Sequence, residues 1–175
     1  MRFEVRESAR HARGVVFAAH RDELEAIARY LPDVEKVELR SRSKGARGLE
    51  EQVHWWTGSP SALPVFVRPM VPPHLLQWSQ RTTWDPATHT ASWTIEVPGL
   101  GPAVVAGGTN TYVDEGSTCG IGIVGDFAFH PERVPQLAGI PAAAVPMVER
   151  MVVKLIVPMI ERTGAAVARY LDERR

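Results

Sequence analysis

Met147-Val148-Glu149-Arg150-Met151-Val152-Val153-Lys154-Leu155-Ile156-Val157-Pro158-Met159-Ile160 lies within Pro141 to Arg175, the one long segment of this chain with sustained helical periodicity. Val148, Met151, Val152, Leu155, Met159 and Ile160 recur at steps of three and four, so they share one face of a helix. Pro158 sits inside the run, where it deletes a backbone hydrogen bond and crowds the preceding turn at about 3 kcal/mol if unrelieved. The reading is therefore a helix in two halves, kinked near Lys154 to Pro158, with Gly164 a second weak point.

Working back from that helix, the chain reads as strands and tight turns. Thr118 to Phe129, Ala103 to Val113, Ala91 to Val97, Leu75 to Trp84, Leu49 to Thr57 and Val34 to Arg42 each alternate or run apolar at strand length. Turn chemistry separates most of them: Asp114-Glu115-Gly116-Ser117, Gly99-Leu100-Gly101-Pro102, Asp85-Pro86-Ala87-Thr88-His89 and Lys44-Gly45-Ala46-Arg47-Gly48. No helical crossover intervenes, so the pairing is antiparallel. The exception is Gly58 to Pro73, an irregular, proline-rich connection. Upstream, Phe3 and Val5 mark a first strand, and Asp22-Glu23-Leu24-Glu25 resembles a capping box ahead of a helical stripe of Leu24, Ile27, Ala28 and Leu31 that Pro32 ends. The expected architecture is α+β: a curved antiparallel sheet of about seven strands around a long C-terminal helix, with a short helical segment after the first strand, in a single domain over residues 1–175.

Composition removes several classes. The chain has 175 residues, 20 Lys and Arg against 20 Asp and Glu, and hence no net charge to attract nucleic acid. Cys119 is the only cysteine, which excludes an intrachain disulfide and suits a reducing compartment. The first residues alternate charge and apolar character, unlike a signal peptide, and Met147 to Ile160 is too short and too charged to span a bilayer. A cytoplasmic soluble protein is expected.

Strand, helical segment, six strands and long helix, together with Tyr30-Leu31-Pro32-Asp33-Val34-Glu35-Lys36-Val37-Glu38-Leu39, resemble the START-like, helix-grip superfamily. That group includes lipid-transfer domains, plant pollen allergens and polyketide cyclases, and its members often carry an aromatic-Leu-Pro-acidic step before an alternating second strand. The resemblance implies an apolar ligand cavity between sheet and helix.

Strand parity then names the walls, because alternate side chains face opposite sides of a sheet. With Arg81 outward, Leu76, Trp78, Gln80, Thr82 and Trp84 face in, and with Glu96 outward, Trp93, Ile95 and Val97 do. Taking the polar Gln52 and His54 as outward puts Val53 and Trp55 inside, with Glu51 on the same parity, and Glu38 outward puts Val37 and Leu39 inside. Cys119, Ile121, Ile123, Phe127 and Phe129 form the apolar phase of the last strand. The expected ligand-binding set is Val53, Trp55, Trp78, Gln80, Trp93, Ile95, Ile121, Met151, Leu155 and Met159, tryptophan for contact area, Gln80 for orientation and methionine for adaptability. An empty apolar pocket of about 400 Å³ would cost on the order of 10 kcal/mol, so collapse, water or a ligand must reduce it.

Other signals are weaker. Gly120-Ile121-Gly122-Ile123-Val124-Gly125 fits GxGxxG, but a hairpin precedes it and Asp126-Phe127-Ala128-Phe129 continues the strand, so the helix N-terminus that would hold a pyrophosphate is missing. With Gly107 and Gly108, these glycines read as bends or points of close approach that let the sheet curl and the last helix lie close. The six histidines show no paired ligand spacing, no nucleophile motif is present, and neither a metal, a cofactor nor a catalytic residue is expected. Pro64 to Leu76 is unusually apolar for a loop: it reads first as a loop packed on its own domain, and otherwise as a segment for transient membrane-surface contact or for covering a cavity mouth. The leading expectation is a binding or transfer protein for a hydrophobic small molecule, lipid-like or polyketide-like. A cyclase-type enzyme in the same cavity is the alternative, and a packed interaction module is a third.

Overall fold

The computed structural model describes every residue except Pro64, Phe66, Val67 and Arg175, and the side chains of all others within its elements except Met70 and Leu155. Seven strands form one antiparallel sheet: β1 (Arg2–Ala9), β2 (Val34–Lys44), β3 (Glu50–Gly58), β4 (Gln77–Asp85), β5 (Thr90–Glu96), β6 (Val104–Asp114) and β7 (Cys119–Phe129). Their order is β1-β7-β6-β5-β4-β3-β2, so β2 to β7 run as a meander and the first strand closes onto the last. Helices α1 (Arg13–Asp22) and α2 (Leu24–Ile27) follow β1, and α3 (Val145–Ile160) and α4 (Thr163–Asp172) end the chain.

The core lies between the concave sheet face and the helices. Alternation in β1 and β7 buries Phe3, Val5, Cys119, Ile121 and Ile123 against Val16, Phe17, Ile27, Ala166, Val167 and Tyr170. A smaller cluster of Ala103, Phe127 and Phe129 receives Val145, Val148 and Val152 from α3. The glycines of β6 and β7 are where this packing is closest. A Cβ on Gly108 would stand 2.4 Å from the Val124 carbonyl oxygen and 2.5 Å from the Trp93 ring, and one on Gly125 would stand 2.3 Å from the Phe3 ring. What approaches these positions is therefore a neighbouring strand and its aromatic rings, and the last helix has its own close approach at Gly164.

Three local expectations are corrected. Asp22 does not cap α2: it ends α1 and pairs with Arg21 at 2.7 Å and Arg42 at 2.6 Å, while Glu25 accepts from the Leu39 amide at 2.7 Å. Two cationic partners outcompete a cap at an exposed helix start. Leu39 is 39% exposed, because β2 is an edge strand with register shifts between Val34 and Lys36 and between Leu39 and Ser41. Leu75 and Leu76 belong to a 3-10 turn (Pro73–Leu76) ahead of β4.

The C-terminal arm divides at Glu161 and Arg162, beyond the Lys154 to Pro158 segment where a kink was expected, and α3 is assigned continuously through Pro158. Its two parts pack differently. No described residue of α3 is buried, whereas Gly164, Ala166, Val167 and Tyr170 of α4 are. The start of α4 is also pinned: Gly164 donates its amide to Glu7 of β1, and Arg162 pairs with Asp33. Burial raises the Glu7 carboxyl to about pH 7, the Gly164 amide opposing and the Glu161 charge adding to that rise.

Candidate functional site

A cavity of about 90 Å³ lies between the inner sheet face and the junction of α3 with α4. Cross-strand register builds its floor. Trp56 opposes Trp78, His54 opposes Gln80 and Gln52 opposes Thr82 across β3 and β4; Gln80 then opposes Ile95, and Thr82 opposes Trp93, across β5. Opposed residues share a sheet face, so one wall alternates tryptophan with amide, hydroxyl and imidazole groups. Trp56 and Trp78 stack with ring centroids 5.7 Å apart and planes 12° apart, a flat apolar surface at one end. Leu31 borders the cavity, and Ile156, Met159, Ile160 and Thr163 close it from the helical arm.

The polar end is organised by α1. His20, at the helix C-terminus, is 7% exposed and borders the cavity, and its Nδ1 lies 2.5 Å from the Tyr112 hydroxyl of β6. Phe17 sets its ring edge-on to Tyr112 at 5.2 Å and to Trp84 at 5.4 Å, which fixes the pair in an aromatic box. Asn110 also borders the cavity and accepts from the Trp93 indole N–H at 2.9 Å. Burial, with the nearby His54 adding, pushes His20 down to about 4, so it is neutral at physiological pH. Burial likewise lowers His54 and holds the Cys119 thiol up at about 11.

Beside this end, Glu50 is 6% exposed yet charged-paired, taking Arg42 at 2.7 Å and the Gln52 amide at 2.6 Å. Gln52 Oε1, His54 Nδ1, Trp56 Nε1 and Trp84 Nε1 are buried without a hydrogen-bond partner among the described residues. Buried polar atoms are normally satisfied, so this inner face holds more hydrogen-bonding capacity than the protein uses.

Of the expected ligand-binding residues, Trp78, Gln80, Trp93, Ile95 and Met159 border the cavity, and Ile121 is buried in the core on the same sheet face. Val53 and Trp55 are corrected. Val53 lies directly opposite Arg81, which points outward, so Val53 and Trp55 belong to the convex face, where Glu51 also pairs with Arg81 at 2.5 Å. The inward set of β3 is Glu50, Gln52, His54 and Trp56, all buried. Met151 is also corrected: it is 46% exposed on the outer side of α3, and Met147 is 63% exposed. The Leu155 side chain lies outside the described residues. His20, Trp56, Asn110, Ile156 and Ile160 border the cavity without having been singled out as ligand-binding. Of the loop Pro64 to Leu76, Pro64, Phe66 and Val67 lie outside the described residues; Val65 is 74% exposed, and Arg68 folds back onto the Leu63 and Ser61 carbonyls. Among the described residues no group of three His, Cys, Asp or Glu is placed to hold a metal, and no helix is long and apolar enough to cross a membrane.

A curled seven-stranded sheet gripping a C-terminal helical arm, with a cavity between them, is a helix-grip fold. The solved structures agree. A protein of Thermus thermophilus superposes with a TM-score of 0.70 at 16% identity, over 99% of this chain and 99% of that one. The ZhuI aromatase/cyclase of a Streptomyces species superposes with a TM-score of 0.67 at 16% identity, over 100% and 96%. A START superfamily protein of Mycobacterium smegmatis gives 0.60 at 12% identity, over 99% of each chain. No protein-family model matches the sequence, and no curated protein matches it. These likenesses define the fold.

Proposed function

We propose that this protein binds a hydrophobic small molecule in the cavity between the sheet and the C-terminal arm, without transforming it. The observation that carries the reading is the lining itself: Trp56, Trp78 and Trp93 on one side and Ile156, Met159 and Ile160 on the other enclose a space bordered by few polar groups. At about 90 Å³ the space is well below the roughly 300 Å³ of a drug-sized site, so a ligand of lipid or polyketide size requires the arm to move. The lightly packed α3 is the part that moves, since α4 is anchored at Glu7 and Asp33. Native mass spectrometry of the purified protein, followed by solvent extraction, tests this: a co-purifying apolar molecule is expected, and failure to retain any apolar compound under any condition would remove the reading.

The enzymatic alternative has one observation in its favour, the His20 imidazole at the cavity wall, and a structural neighbour that is an aromatase/cyclase. A histidine lowered to about 4 is a weak base, and no Lys or Arg borders the cavity among the described residues. Both facts favour binding over proton transfer.

A further inference from the structure

We infer that the ligand is a neutral apolar molecule carrying a carbonyl or hydroxyl oxygen, and that the Nε2–H of His20 is the donor that anchors this oxygen. The inference rests on the binding reading above and specifies the chemistry of that site.

The direction of the hydrogen bonds around His20 decides which of its ring nitrogens carries the proton. An indole nitrogen only donates, so the Trp93 Nε1 bond of 2.9 Å makes Asn110 Oδ1 the acceptor and turns the Asn110 amide nitrogen to its other side. The Tyr112 hydroxyl is buried and kept protonated, and its one side-chain hydrogen bond among the described residues is to His20 Nδ1 at 2.5 Å, so its proton goes there: otherwise a buried O–H would be left unpaired. A neutral imidazole that accepts at Nδ1 carries its proton at Nε2. That Nε2–H has no hydrogen-bond partner among the described residues, and His20 borders the cavity. The buried Tyr112 proton thus sets the imidazole tautomer and leaves a donor on the His20 ring, a residue of the cavity wall.

A second buried donor points the same way: Trp56 is 7% exposed, borders the cavity, and its Nε1–H is unpartnered among the described residues. Donors call for an acceptor oxygen. The absence of Lys and Arg from the described lining, with Asp126 its one charged residue, makes a carboxylate a poor occupant. The ligand is therefore oxygenated and uncharged, with its apolar body against the stacked Trp56 and Trp78 rings.

Three single-ring probes suited to the closed cavity test this on the full chain at about pH 7.5, with binding followed by NMR of the tryptophan indole N–H signals: acetophenone, ethylbenzene and benzoate. Acetophenone is expected to bind about ten-fold more tightly than ethylbenzene, the worth of one hydrogen bond to an otherwise unsatisfied donor, and benzoate more weakly than acetophenone. The His20 Nε2 resonance should shift with acetophenone and not with ethylbenzene. His20→Phe should bring acetophenone to the ethylbenzene level while leaving ethylbenzene within about two-fold, and Tyr112→Phe, which frees the tautomer, should reduce the preference. If His20→Phe does not fold, the wild-type Nε2 shift decides alone. Equal binding of acetophenone and ethylbenzene, a preference that survives His20→Phe, an unmoved Nε2 signal or tightest binding of benzoate overturns this inference and leaves the binding reading standing. Failure of all three probes to bind overturns both.

Discussion

Gly164 and Glu7 occupy one space: a Cβ on Gly164 would lie 2.1 Å from Glu7 Oε2 and 3.1 Å from Glu7 Cβ. The carboxyl can escape a methyl group there only by leaving the Gly164 amide, so Gly164→Ala should cost about 1–3 kcal/mol in urea denaturation, through overpacking and loss of that bond together. Gly108 is less forgiving, because what its Cβ would meet first is the Val124 backbone carbonyl at 2.4 Å. Gly108→Ala is expected to cost about 3 kcal/mol, and a value under about 0.5 kcal/mol would show that β6 and β7 part more easily than this packing allows. At this scale the sequence was informative where a residue's type constrains its surroundings. Glycines in mid-strand signalled close approach, and they did so without saying that Phe3 and Trp93 were what came close.

The elements differ in how far their inner faces could be read. Strands β4, β5 and β7 alternate cleanly, so Arg81 and Glu96 outward and Trp84, Trp93 and Ile123 inward followed from pattern. In β3 both parities hold a tryptophan, and the choice fell on the more apolar set, Val53 and Trp55. The fold selects Gln52, His54 and Trp56 because pairing with β4 imposes it. That register was invisible because an irregular stretch, not a tight turn, joins the two strands, and only a tight turn transmits parity from one strand to the next. On α3 the apolar surface is too broad for periodicity to choose its cavity side, which is why Met151 and Met159 looked equivalent. Glu149 offers a handle on that helix: its carboxylate accepts from the Phe129 amide at 2.9 Å, tying α3 to the end of β7. Glu149→Ala should cost about 1 kcal/mol and raise amide exchange in α3 while leaving α4 unchanged, as measured by hydrogen-exchange mass spectrometry. A bound probe should slow exchange in α3; equal protection of both helices, with or without ligand, would argue against α3 as the moving part.

For the whole molecule, two buried groups pull stability in opposite directions with pH. Glu7 is held protonated to about pH 7, above its ordinary 4.5, so its contribution is complete below 4.5 and is lost as pH rises through 7. His20 is held neutral down to about 4, below its ordinary 6.5, so its contribution is complete above 6.5 and is lost as pH falls through 4. The two slopes oppose each other between pH 4.5 and 6.5. Glu7→Gln removes the falling one, and its stability should climb with pH across that window more steeply than the wild type, by on the order of 1 kcal/mol once the partial exposure of Glu7 is allowed for. Parallel profiles from urea denaturation at about pH 4.5, 5.5 and 6.5 would mean that Glu7 titrates normally.

The strand order has a kinetic consequence. Every pairing from β2 to β7 joins strands adjacent in sequence, but β1 pairs with β7, Arg2 opposite Asp126, across nearly the whole sheet. Closing so long a loop is slow relative to forming the sequential pairings, which places the docking of β1 late in folding. The cavity is completed later still in synthesis, since α3 and α4 emerge after the last strand. A chain leaving the ribosome thus exposes a tryptophan-lined trough before it has a cover, and an apolar molecule already lying there is enclosed as the final helices settle. Loading during folding, rather than entry into the finished protein, is a route this topology would open to the proposed ligand.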